Sequence, residues 1–139
     1  MTGIDRQILV DQLLRHESYR KFVYRCPAGK LTVGIGRNLE DRGLTLKESI
    51  YLLNNDIDDC QAQLNKALPW VGNISPTRQA VLVNMSFNLG IQGLLKFSRM
   101  LAAVKSGQYA EAADEMLASK WAQQVRQRAI ELARQMEVG

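Results

Sequence analysis

Only one stretch of this 139-residue chain has the pattern of a sheet, and that restricts the folds open to the remainder. From Phe22 to Leu39 the sequence changes to short extended runs, FVY and KLTVGIG, on either side of Pro27-Ala28-Gly29. Proline fixes φ where a turn begins and glycine accepts positive φ where it ends, so the two runs are expected to fold back as a hairpin. Gly34-Ile35-Gly36-Arg37-Asn38 is followed by Leu39, which excludes a phosphate-binding G-x-G-x-x-G loop opening a helix. The two glycines are read instead as allowing close backbone approach in a twisted hairpin.

Everything else reads as helix. Ile4, Ile8, Leu9, Leu13 and Leu14 fall near helical spacing with charges between them, so a first amphipathic helix should end around His16-Glu17. Thr45-Leu46-Lys47-Glu48 has the S/T-x-x-E form, in which hydroxyl and carboxylate reciprocally satisfy free N–H groups at a helix start. A long helix to about Ala67 follows, with Ile50, Leu53, Ile57, Cys60 and Leu64 as its apolar stripe, and Cys60 is read as a small buried core residue. Ser75-Pro76 offers an N-cap and a first-turn proline for a strongly apolar helix through RQAVLVNMSFNLG, with Gly90 as its C-cap. Ser86 within it is read as a tolerated small polar residue. Further helices are expected at about 96–106, 109–118 and, basic in character, 124–136. The fold class is α+β: a small antiparallel sheet joined by a long helix to a helical bundle, with a groove expected where the two lobes meet.

Composition fits an ordinary soluble fold, at 46% apolar and 23% charged residues. Two cysteines and one histidine cannot supply an ordinary zinc site, so free thiols, no metal and no cofactor are expected. The N-terminal segment carries Asp5, Arg6 and Asp11, which argues against a signal peptide or membrane span and for synthesis in the cytoplasm. The net charge of +4 is uneven: residues 61–139 carry nine Lys/Arg against five Asp/Glu, whereas residues 1–60 carry nine of each. Such a field suits a polyanionic partner, whether nucleic acid, anionic lipid or acidic wall polymer, and equally suits simple solubility. Neither a recognition motif nor a dense basic stripe supports nucleic acid.

Three residues around the hairpin are candidates for chemistry. Glu17 ends the first helix, Cys26 begins the turn and Thr32 lies on the returning strand. Read as a whole, HESYRKFVYRCPAGKLTVGIGRN resembles the phage-type lysozymes of glycoside hydrolase family 24, whose motif is Glu, eight residues, Asp or Cys, five residues, then Thr. Glu17, Cys26 and Thr32 fit that spacing without a gap. LLNNDID is similar to the family's interlobe helix, RQAVLVNMSFNLG to its central helix and SKWAQQVRQRA to its C-terminal helices. The resemblance implies one lysozyme-like domain over 1–139, with a sheet lobe at about 18–60 and a helical lobe at about 61–139 that includes the N-terminal helix.

It also implies an endolysin: a monomeric muramidase cleaving the β-1,4 bond between N-acetylmuramic acid and N-acetylglucosamine in peptidoglycan glycan strands. Such an enzyme would stay in the host cytoplasm, without stable membrane association, until released to the periplasm through a holin. Glu17 would be the general acid, and Cys26 and Thr32 would hold or polarise the attacking water. Cysteine stands where many relatives have aspartate, and a thiol with a pKa near ~8.5 is mostly uncharged at neutral pH unless a cation such as Arg25 or Arg37 lowers it. A thiolate nucleophile giving net retention is the rival chemistry. Ala28 occupies a turn position where a relative has an acidic substrate contact. His16, beside Glu17, has no counterpart role.

By the same resemblance Phe87, Asn88 and Lys120 would contact substrate, with core packing the alternative for Phe87 and for neighbouring Trp121. Arg128 would sit beside the catalytic acid, and Arg37 with Asp56 would form a structural ion pair. A catalytically silent peptidoglycan-binding protein of the same fold and a lytic transglycosylase are the alternatives in function.

Overall fold

The computed structural model describes residues 3–139. Helix α1 (Arg6–Glu17) precedes strands β1 (Arg20–Arg25), β2 (Leu31–Gly34) and β3 (Arg37–Asn38) and a one-turn helix α2 (Leu39–Arg42). The long α3 (Leu46–Ala67) and a 3-10 turn (Pro69–Asn73) lead to α4 (Pro76–Leu95), α5 (Ser98–Lys105), α6 (Tyr109–Leu117), α7 (Lys120–Val125) and α8 (Gln127–Val138). This is the α+β, lysozyme-like plan. The described residues divide between Ile50 and Tyr51 into two compact units.

In the first unit, Asp5 caps α1 by accepting a hydrogen bond from the Ile8 N–H at 3.2 Å. The expected apolar face of α1 is not buried: Ile8, Leu13 and Leu14 all stay more than two-fifths exposed. The sheet has the antiparallel order β1-β2-β3, with Tyr24 opposite Thr32 and Thr32 opposite Asn38. The predicted hairpin is present, and a short third strand extends it. Its turn is closed by Cys26 N–H to Lys30 O at 3.0 Å and Gly29 N–H to Cys26 O at 2.7 Å, with Gly29 at φ +81°. Proline entry and a left-handed glycine exit are what this loop geometry demands.

The capping box at α3 forms as its sequence requires. Glu48 N–H donates to Thr45 Oγ1 at 3.1 Å, and Thr45 N–H donates to Glu48 Oε1 at 2.8 Å. The same carboxylate takes the fork of Arg37, which was expected to pair with Asp56. Nη1 reaches Glu48 Oε1 at 2.8 Å, Nη2 binds Oε2, and Nη1 also donates to Gly43 O at 3.1 Å. Two parallel N–H···O contacts satisfy a planar guanidinium better than one charge on a distant turn of helix. With Arg37 foremost and the Thr45 N–H second, the Glu48 carboxyl is held down at about 2.

The second unit has the core. Leu64, Val71, Val81, Leu82, Met85, Leu94, Met100, Val104, Met116 and Met136 are almost fully buried. Each such side chain is worth roughly 1.5–3 kcal/mol in transfer from water. Ser75 Oγ accepts the Arg78 N–H at 3.2 Å and Pro76 occupies the first turn, so α4 starts where its sequence says. Gly90, at φ +74° and ψ +161°, kinks α4, and one further helical turn carries it on to Leu95. The basic C-terminal helix is two helices: Arg126, at φ +50°, breaks it. The break lets Trp121 from α7 and Ala129, Leu132, Ala133 and Met136 from α8 reach one core. On α3 only Leu64 is buried, and Cys60, expected in the core, is partly exposed. Ser86 is more deeply placed than its reading implied, at 2% exposure with no hydrogen-bond partner for Oγ among the described residues. No helix among them is long and apolar enough to cross a membrane.

Candidate active site

The hairpin turn directs N–H groups at the partly exposed Cys26. Its thiol is lowered from the ordinary cysteine range, first by the Lys30 backbone N–H and then by the Ala28 N–H and the Thr32 hydroxyl, with desolvation opposing. The expected agents, Arg25 and Arg37, are engaged elsewhere: Arg25 Nη1 donates to Gly29 O at 2.9 Å, and Arg37 is held by Glu48. Backbone dipoles of the turn therefore replace a cationic side chain. Thr32 is buried, at 3% exposure, and its hydroxyl donates to Lys30 O at 2.9 Å. A single O–H serves one acceptor at a time. With Cys26 as a thiol, S–H can donate to Thr32 Oγ1 while Thr32 binds Lys30 O; with a thiolate, the Thr32 O–H can turn to sulfur.

Glu17 stands apart from that turn. It is the last residue of α1, and it lines a cavity of about 310 Å³ with Val10, Leu13, Ile35 and Gly36. Gly36 has φ +70°, and a Cβ there would lie 3.0 Å from Glu17 Oε2 and 3.2 Å from its Cδ. The carboxyl group thus rests against the bare backbone between β2 and β3. Of the three hairpin residues, Cys26 and Thr32 are brought together at one end of β2. Glu17 lies against Ile35 and Gly36, past the other end of that strand.

In the second unit, Asn84, Phe87 and Arg128 line a cavity of about 530 Å³ whose other walls are mostly apolar, including Leu53, Ile57 and Val83. Phe87 is 46% exposed, which removes the core-packing alternative for it. Arg128 is oriented by Asn84: Nε and Nη2 donate to Asn84 Oδ1 at 3.0 and 2.7 Å. Asn88 accepts the Trp121 indole N–H at 2.8 Å, and Trp121 packs edge-on to Phe97 at 6.1 Å between centroids. Trp121 is core, as its alternative reading had it. Lys120, exposed at the start of α7, lines a second hollow with Lys96, Arg99, Glu115 and Trp121.

The model of the phage lysozyme family matches residues 14–137. The chain belongs to the phage lysozyme family. It is also 27% identical over 149 aligned positions to the pre-baseplate central spike protein Gp5 of Enterobacteria phage T4. That match covers 87% of this chain and 26% of Gp5, so the chain spans about a quarter of the relative's length.

Three features of the candidate site escaped sequence reasoning. Asn84 precedes Phe87 by three residues, and that helical spacing was the available signal that the two line one cavity. The role of the Lys30 and Ala28 amides had no side-chain signature at all. Gly36 was read as a close approach, but its counterpart, the Glu17 carboxyl group, becomes visible only when the turn is built.

Proposed function

We propose that the chain is an endolysin-type muramidase that hydrolyses the β-1,4 bond between N-acetylmuramic acid and N-acetylglucosamine. The observation that carries this reading is the separation of two chemical stations: a carboxyl group seated on Gly36, and a sulfur–hydroxyl pair inside the hairpin turn. Hydrolysis of an acetal with inversion needs a proton delivered to the departing oxygen and a water delivered to the opposite face of the sugar. Glu17 is assigned the first task. Cys26 and Thr32 are assigned the second.

The water would lie against sulfur and the Thr32 hydroxyl, and a Cys26 anion would take one of its protons as the anomeric carbon is attacked. Amide N–H groups directed at the sulfur favour the charged form without an adjacent cation. Phe87, Asn88 and Lys120 are assigned to glycan contacts. Release from the cytoplasm through a holin completes the endolysin reading. The similarity to a spike protein supports a second reading of where the chemistry is used, namely on a phage particle.

Glu17→Gln tests the assignment, because it removes the proton and keeps the shape. Turbidity loss of outer-membrane-permeabilised Gram-negative cells should slow by at least about 10²-fold, the usual range for a lost general acid. Activity within tenfold of wild type would rule it out. Mass spectrometry of the products separates hydrolysis from the anhydro ends of a transglycosylase. A wall-binding protein without catalysis would release no fragments.

A further inference from the structure

Cys26 is held by a loop whose stability is not internal to the loop. Arg25, immediately before it, and Lys30 and Leu31, at its far end, all converge on one carboxylate of α2. Glu40 Oε1 lies 3.8 Å from Arg25 Nη1 and accepts the Leu31 N–H at 3.4 Å, while Glu40 Oε2 lies 3.5 Å from Lys30 Nζ. Asp41 adds a contact to Lys30 Nζ at 3.3 Å. Lys30 is thus used twice: its ammonium is tied to α2, and its backbone N–H is the foremost group acting on the Cys26 sulfur. Its carbonyl additionally receives the Cys26 N–H and the Thr32 hydroxyl.

We infer that Glu40 is a positioning residue for the reaction, acting through Arg25, Lys30 and Leu31 to clamp both arms of the turn that presents Cys26 and Thr32. The inference rests on the proposed role of Cys26. Exposed ion pairs contribute little to global stability, so the consequence of a three-way clamp on one turn is positional more than energetic. Positional tolerance in catalysis is much tighter: about 1 Å of misplacement can cost roughly 10²-fold in rate. α2 is only four residues long, and Asn38 holds it by accepting the Asp41 N–H at 3.0 Å. The carboxylate is therefore delivered from a capped turn directly after β3.

The test compares wild type with Glu40→Gln and Glu40→Asp on the full chain. Four readouts are needed: kcat and KM for release of soluble peptidoglycan fragments, thermal midpoint, and the pH profile of Cys26 alkylation by iodoacetamide. Alkylation at Cys26 is resolved from Cys60 by peptide mass spectrometry. Glu40→Gln should lower kcat about tenfold with KM within twofold, move the alkylation profile towards that of an ordinary thiol, and leave the thermal midpoint within about 2 °C. Glu40→Asp should restore part of both effects. Unchanged alkylation and kcat within twofold would overturn the clamp, as would losses tracking only a fall in thermal midpoint. If the alkylation profile moves but wild type itself releases no fragments, the clamp stands and the muramidase reading fails.

Discussion

Replacing Gly36 with alanine should separate the fold from the chemistry, because the structure supplies its own control two residues earlier. Gly34 and Gly36 share φ +70°, and an added Cβ meets nothing within 4 Å at Gly34 but meets the Glu17 carboxyl group at Gly36. Any L-residue in the left-handed region costs roughly 1–2 kcal/mol, so Gly34→Ala and Gly36→Ala should destabilise alike. For a chain of this size that is a fall in thermal midpoint of several degrees. At Gly36 the new methyl group would stand 3.0, 3.2 and 3.3 Å from Oε2, Cδ and Cγ of Glu17, short of the ~3.5–4.0 Å at which such atoms rest. The backbone cannot yield easily, but the end of a glutamate can. The carboxyl group should retreat by about 0.5 Å, and with roughly 10²-fold lost per ångström the rate should fall about tenfold beyond any effect of stability. Circular dichroism melts and turbidity rates measured well below both midpoints would read the two effects apart. Equal rates for the two variants, or a fully active Gly36→Ala, would refute the seating of Glu17 on that backbone.

Other outcomes follow from single contacts. Ser86→Ala should raise stability by about 1 kcal/mol, because a buried hydroxyl without a partner costs that much or more; a lower thermal midpoint would mean that Oγ has a partner. Glu48 is depressed to about 2 from 4.5, so the folded state binds fewer protons and its contribution is full above pH 4.5 and lost as pH falls towards 2. The gap in urea midpoint between wild type and Glu48→Gln should therefore shrink across that window and vanish near its lower end; a gap independent of pH would contradict the Arg37 pairing. Cys26→Asp should stay active and Cys26→Ala should be much weaker, since an aspartate can hold a water and a methyl group cannot; activity of the alanine variant equal to wild type would remove sulfur from the mechanism.

Much of this fold was readable because local signals were strong and agreed. Pro27-Ala28-Gly29 forced a turn, Thr45-x-x-Glu48 and Ser75-Pro76 forced helix starts, and each formed as its chemistry dictates. Where periodicity was the only guide, burial was misjudged. Cys60 and Leu53 lie on a regular apolar stripe, yet only Leu64 at its end is covered. Arg126 has no residue type that announces a break, and the divided α7 and α8 follow from the shape of the core they fill. The site shows the same contrast. The resemblance to the family motif pointed to Glu17, Cys26 and Thr32, whereas the amides around the sulfur belong to the backbone and carry no letter of their own. Arg37 was assigned a plausible acid on the long helix, but the capping glutamate takes its fork.

The division of labour between Glu17 and Cys26 is tested most directly by the configuration of the first sugar product. A soluble glycan oligomer should be cleaved in an NMR tube and the new reducing end recorded before mutarotation, within the first minutes of reaction. Water held at Cys26 and Thr32 enters from the face opposite the leaving group, so the initial anomer should be α, inverted from the β-linked substrate. A β anomer in the earliest spectrum would contradict the account and make the Cys26 sulfur the attacking atom.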